Sequence, residues 1–163
     1  MKAWMWCVLL GAILLVPSIH VRADDWDGLF ATTGFRSRHD AGAGKGKVDS
    51  KGRQVLDYNH SNNGVGIVLR FHEDYSLTMG TYFNSLYQDT VYMGFGYQPY
   101  HYRTEYLGTW SAGVVTVLAT GYNKSDKVIV PLPIVNYQYK RVGINFIVLP
   151  SIVYSAQLQF KLN

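Results

Sequence analysis

The sequence predicts an all-β protein, an eight-stranded antiparallel up-and-down transmembrane β-barrel, and three observations carry that prediction. Apolar and polar residues alternate with a period of two, most clearly near the C-terminus. There Ile152, Tyr154, Ala156, Leu158, Phe160 and Leu162 share one face, and Val153, Ser155, Gln157, Gln159 and Lys161 share the other. Such a period marks a strand lying between two different environments. The bulky residues occupy the apolar face and the opposite face is polar or small, the polarity of a barrel that is greasy outside and polar within. Finally, no stretch after the N-terminal segment offers about 18 consecutive apolar residues, so a membrane crossing has to be built from strands.

The N-terminal segment has the plan of a secretion signal. Lys2 supplies a positive start, Trp4 to Val16 is nearly all apolar, and Val21-Arg22-Ala23 fits a small-x-small cleavage site. The apolar core is shorter than the ~20 residues of a spanning helix. Residues 1–23 are therefore expected to be a cleaved signal peptide, with residues 24–163 forming one barrel domain exported to the outer membrane of a Gram-negative type cell. Loss of Lys2 and Arg22 takes the basic residues from 15 to 13 against 11 acidic ones, a net charge of +2. So slight an excess implies no nucleic-acid partner. The only cysteine, Cys7, leaves with the signal, so neither disulfides nor thiol chemistry is expected.

The strands can be justified in order. They are expected at about 28–39, 62–71, 76–86, 90–99, 105–121, 128–139, 142–149 and 151–162. In the second, Val65, Ile67, Leu69 and Phe71 oppose Gly64, Gly66 and Arg70. In the fourth, Val91, Met93, Phe95 and Tyr97 oppose Thr90, Tyr92, Gly94, Gly96 and Gln98. In the seventh, Val142, Ile144 and Phe146 oppose Gly143 and Asn145. Short connections at His72 to Tyr75, Tyr100 to Thr104 and Lys140-Arg141 alternate with longer loops at 40–61, 122–127 and Pro150-Ser151. Short turns on one side and long loops on the other are the habit of outer-membrane barrels, and an even strand count puts both termini on the turn side. Tyrosines such as Tyr97, Tyr100, Tyr102 and Tyr106 gather near strand ends, where an amphipathic ring suits a bilayer boundary.

The competing fold is a soluble eight-stranded barrel with its apolar face inward. The glycine-heavy opposite face of strands two, four and seven argues against it, because inward glycines make room in a narrow barrel whereas solvent-exposed ones only weaken strands. The segment Ala41 to Lys47 is rich in glycine and lysine but lacks the spacing of a phosphate-binding loop. Its cations, with Arg36, Arg38, Lys51 and Arg53, give one outer rim a positive character suited to anionic lipid headgroups.

Chemistry is expected where the pattern stops. His72 and His101 fall in turns, and His60 opens strand two. His39 ends strand one, and strand three, which runs the same way, ends in Asn84-Ser85. Topology thus brings a histidine, an amide and a hydroxyl to one mouth of the barrel. They can serve as base, orienting or oxyanion group, and nucleophile or donor. Pro131 and Pro133 frame Leu132 inside strand six, and Pro150 ends strand seven. Proline cannot donate to a ladder and a closed barrel has only central strands, so pairing between strands six and seven should fail near the outer leaflet. A gap there would admit a lipid chain.

Taken together, Gly64-Val-Gly66, Thr81-Tyr-Phe-Asn-Ser85, Gly94-Phe-Gly96, Pro131-Leu-Pro133 and Leu149-Pro150 resemble the outer-membrane lipid A palmitoyltransferase family (PagP-like acyltransferases). The resemblance is distant, covers most of the chain after the signal, and is best from Asn62 onward. It implies acyl transfer from a phospholipid to lipid A by a monomer with no metal and no cofactor. It assigns catalytic roles to His39, Asn84 and Ser85, a lateral lipid gate to Pro131 or Pro133 and Pro150, and the floor of the acyl pocket to Gly96. This chain departs from the family in carrying Asn84 where the family has aspartate, which leaves Asp40 or Asp89 to orient His39. It also has no room before strand one for an amphipathic helix and ends in Phe160-Lys-Leu-Asn163 rather than a terminal aromatic. A non-enzymatic envelope barrel, or a lipid hydrolase using the same His and Ser with water, are the alternative expectations.

Overall fold

The computed structural model describes residues 26–39, 47–48, 52–55, 57–122, 127–149 and 153–163. The expected signal peptide, Pro150 and most of the loop after His39 lie outside the described residues. Ten strands run in chain order: β1 (Trp26–Arg38), β2 (Lys47–Val48), β3 (Gln54–Val55), β4 (Ser61–Phe71), β5 (Tyr75–Phe83), β6 (Asp89–Thr104), β7 (Gly108–Thr120), β8 (Lys127–Tyr139), β9 (Val142–Leu149) and β10 (Val153–Lys161). Eight of them close an antiparallel barrel in the order β1-β10-β9-β8-β7-β6-β5-β4, so each strand lies beside its barrel neighbours in sequence. The remaining two, β2 and β3, form a small separate hairpin within the loop that follows β1. Both ends of the barrel chain meet three tight turns at one rim, the turn end. The longer connections lie at the other, the loop end.

The alternation decides which way each side chain points. Val65, Ile67, Leu77, Met79, Val91, Met93, Val135, Phe146 and Leu158 are exposed on the outer wall. Thr32, Asn62, Ser76, Thr90, Gln98, Ser111, Asn136, Asn145, Gln157 and Gln159 are buried within. The inward-apolar alternative is therefore not the fold found. Aromatic rings on the outer wall gather toward the turn end, where Tyr75 stacks on Tyr97 at 5.1 Å and Trp110 meets Tyr137 at 4.7 Å.

Inward glycines leave space that specific side chains fill. A Cβ at Gly66 or Gly80 would strike the Tyr92 hydroxyl, so these two positions house that ring. On the turn side, a Cβ at Gly143 would strike Gln138 Oε1 and Gln159 Nε2, which hydrogen-bond across it at 2.6 Å. Beside them Asn136 donates to Asn145 (2.9 Å), Asn145 to Gln157 (3.1 Å), and Gln157 to the Thr33 carbonyl (2.9 Å). On the loop side the interior is apolar instead. Val115, Leu132 and Ile147 are buried together, with Phe35, Val117, Val130 and Ile134 packed on them.

Two expected boundaries are corrected. The segment Tyr100 to Thr104 is not a turn. It continues β6, and the reversal falls at Glu105-Tyr106-Leu107. Pro99 does not end the strand, because a register shift between Tyr97 and Tyr100 absorbs it and leaves the missing donor outside the ladder. Gly108, at φ +83°, and the Thr104 hydroxyl, which accepts from Leu107 N–H at 3.0 Å, form the actual reversal. Strand three also stops early, at Phe83 rather than residue 86, because Asn84 folds the following loop upon itself.

One seam of the wall is incomplete. β8 pairs with β7 along its whole length, from Thr109↔Gln138 to Thr120↔Lys127. Its pairing with β9 runs only from Tyr139↔Val142 to Ile134↔Ile147. Beyond Ile134 come Pro133 and Pro131. Since the β7 ladder continues through both, their nitrogens fall on the β9 side, where donors are missing. Val148 and Leu149 bond only to β10. Among the described residues the ladder thus stops at Ile134, leaving Pro133 and Leu132 unpaired with Val148 and Leu149.

Candidate active site

His39 follows the last residue of β1, and Ser85 opens the loop after β5. The structure sets His39 Nε2 3.0 Å from Ser85 Oγ. A second hydroxyl, that of Ser37, lies 3.1 Å from the same nitrogen. Ser37 points inward two residues before His39 and donates its proton to Asn62 Oδ1 at 2.7 Å, while Asn62 Nδ2 donates to the Phe83 carbonyl at 3.0 Å. With its one proton committed to Asn62, Ser37 can only accept from Nε2. The resting arrangement therefore fits a proton on Nε2, and Nε2 can act as a base only once that proton has moved to Nδ1.

The rest of the imidazole's surroundings tune it. Tyr58 packs on its ring at 4.7 Å and His60 at 5.5 Å. Burial pushes the His39 imidazole below its ordinary value, the neighbouring His60 pushes it the same way, and Asp57 opposes them. At neutral pH His39 is accordingly uncharged, as a general base requires. Nδ1 has no hydrogen-bond partner among the described residues. Asp89 makes no bond to His39, and Asp40 lies outside the described residues. Asp57, 4.0 Å from His60 Nε2, is the acid whose charge reaches this ring.

Asn84 does different work from Ser85. It is fully buried, and its amide donates to Thr90 Oγ1 (3.0 Å) and to the Gly121 carbonyl (2.8 Å). Its Oδ1 accepts from Leu86 N–H (2.8 Å) and Gln88 N–H (3.0 Å). None of these four bonds goes to His39. Asn84 thus ties the β5–β6 loop to β7 and sets where Ser85 stands, with no amide hydrogen left over for an oxyanion. The orienting or oxyanion role expected of Asn84 thus finds its side-chain groups engaged elsewhere in this structure.

The pair opens into the barrel. A cavity of about 90 Å³ is lined at the mouth by Ser37, Asn62, Ser85 and Tyr122, and deeper by Phe35, Val115, Leu132 and Ile147. At ~10–15 Å³ for each water-sized group, that is room for about six to eight such groups. Phe35, Tyr82 and Tyr92 meet edge to face along one side, at 5.1 to 6.1 Å. The Tyr82 and Tyr122 hydroxyls share a 2.5 Å bond, and burial pushes the Tyr122 phenol up. Gly96 faces inward beside this cavity, where a Cβ would meet Ser76 Oγ and come within 3.8 Å of Val115. Pro131 and Pro133 lie outward, on the unladdered seam, with Leu132 between them turned into the cavity.

Sequence reasoning had no role for Ser37, Asn62, Asp57 or Tyr58. The first two sit in the inward phase of their strands beside His39, a signal that was available. The last two depend on the fold of a long loop, which no period announces. No protein-family model matches the chain, and no curated protein gives a significant match.

Proposed function

We propose that this protein is an outer-membrane acyltransferase that moves a fatty acyl chain from a phospholipid to lipid A. The observation carrying this reading is the His39–Ser85 pair, 3.0 Å apart at the mouth of an apolar interior. An outward apolar wall with an aromatic belt suits a bilayer, and the wall loses its ladder beside that interior. The donor's acyl chain enters through the seam at Pro131 and Pro133 and lies against Leu132, Val115 and Ile147. The resemblance to the lipid A palmitoyltransferase family supports the same assignment.

In the transfer step, His39 takes the proton of the acceptor hydroxyl as its oxygen forms the new ester bond at the donor's acyl carbon. Ser85 donates a hydrogen bond to the developing oxyanion, a role open to it because Asn84 has no donor to offer. Collapse breaks the bond to the lysophospholipid oxygen, which recovers the proton from His39. No metal or cofactor enters these steps. The test is mass spectrometry of lipid A from cells expressing the wild type or His39→Ala. An added acyl chain with the wild type alone supports the reading, and identical lipid A in both overturns it. Release of free fatty acid with lipid A unchanged would assign the pair to hydrolysis instead.

A further inference from the structure

Arg70 is a cation inside the barrel that feels the charge of Asp27 but makes no salt bridge among the described residues. It lies on the inward face of β4, opposite Gly28 of β1 and Ser76 of β5, and lines the cavity. Its Nη2 donates to Gln159 Oε1 at 3.3 Å, and its guanidinium stands 4.8 Å over the Phe30 ring. No described carboxylate forms an ion pair with it. Asp27, at the start of β1, accepts from the Glu73 N–H instead. Arg70 Nε is buried without a hydrogen-bond partner, and so is Gln98 Nε2. Gln98 is 6% exposed and also lines the cavity.

The two orphan donors belong to one neighbourhood. Arg70 pairs with Ser76, Ser76 pairs with Gly96, and Gln98 follows two residues on along β6, on the same inward face. Gly96 carries no side chain, and the Ser76 hydroxyl takes up the room it leaves, a third polar group on the same inward face. A charged donor buried without an acceptor is costly, and so is a neutral one. An anion held by both would remove these costs together. Directly beyond lies the apolar cluster of Val115, Leu132 and Ile147. Polar donors at one end of a narrow apolar space define an amphiphile.

We infer that the cavity binds an alkyl carboxylate head-down, its carboxylate on Arg70 and Gln98 and its tail rising past Val115 and Leu132. Room for about six to eight water-sized groups suits a chain of about that many carbons. Such a ligand would fill the space that an acyl donor needs, so free fatty acid would inhibit transfer. The binding site itself stands apart from the acyl-transfer reading, because its test reads occupancy alone.

The experiment is a titration of the purified barrel, folded in dodecyl maltoside micelles, with octanoate labelled with ¹³C at the carboxyl carbon. The carboxyl resonance should shift saturably, and Arg70→Gln should weaken binding at least tenfold while the folded barrel's gel mobility is kept. If Arg70→Gln does not fold, Gln98→Leu serves in its place and should weaken binding several-fold. Octanol should bind the wild type more weakly than octanoate and lose nothing in either variant. Equal octanoate affinity in the wild type and the folded variant overturns the proposal. So does inorganic phosphate binding as tightly as octanoate, which would mark a plain anion site. Ordered water alone at Arg70, in a structure determined at saturating octanoate, overturns it as well.

Discussion

The two halves of the barrel interior are built from the same alternation and do opposite things. Toward the turn end, Asn136, Asn145 and Gln157 join three strands by amide bonds that each donate to the next, and the β8–β9 and β9–β10 seams there are laddered. Toward the loop end, the inward positions hold Phe35, Leu132 and Ile147, one seam is open, and His39 meets Ser85. An amide chain satisfied by its own members holds its strands together, whereas an apolar interior beside a broken ladder can exchange its contents. Rigidity and chemistry are thus divided along the barrel axis.

The comparison breaks most sharply at the loop end. His39→Ala should lower acyl transfer about 10²–10⁴-fold, the range of general acid–base catalysis, and leave unfolding in urea unchanged; a measured rate within a few-fold of wild type would remove the base. At the other half, Asn145→Leu should spare the chemistry but leave Gln157 Oε1 without its donor and the Asn136 amide with only the Ile144 carbonyl. The unsatisfied acceptor costs about 1–3 kcal/mol, to be read from the unfolding midpoint in micelles.

Subtler changes sharpen the contrast. Replacing Pro131 and Pro133 by valine restores two donors facing β9, so transfer should fall several-fold as the seam closes, and hydrogen exchange should show new protection there. Gly96→Met should shorten the transferred chain, read by mass spectrometry, as its side chain enters the cavity beside Val115. The smallest effect concerns pH. The His39 value is lowered, so its neutral form persists below the usual histidine range near pH 6.5. Transfer should hold as pH falls through about 6.5 and fail only at more acid pH, whereas stability starts to fall at about 6.5 already, because the unfolded chain takes up the proton there first. Asp57→Asn should move that failure lower, and His60→Gln higher. A profile that moves with neither variant would disconnect these groups from the site.

The facing of nearly every strand was legible, because a period of two states which side chains share a wall. The same counting brought His39 and Ser85 to one mouth, since strands one and three run in the same direction. What the pattern does not carry is the local return of the chain. Asn84 and Ser85 are adjacent in sequence, yet one knots the loop to Gly121 and Thr90 while the other faces the cavity. Pro99 and Pro133 likewise look alike in a sequence. A bulge absorbs the first, and the second marks the end of a ladder, a difference set by the neighbouring strands.

The bond from Gln157 to the Thr33 carbonyl joins residues 124 positions apart. It belongs to the amide chain that already ties β8, β9 and β10 together. In folding terms, the last quarter of the chain can assemble from local hairpins as a prefabricated panel, whose free edge carries a side chain aimed at the first strand. Closing the cylinder is the most distant pairing the chain makes, and so its slowest demand on chain entropy. The glutamine acts there as a latch in the order of assembly, long before any lipid arrives.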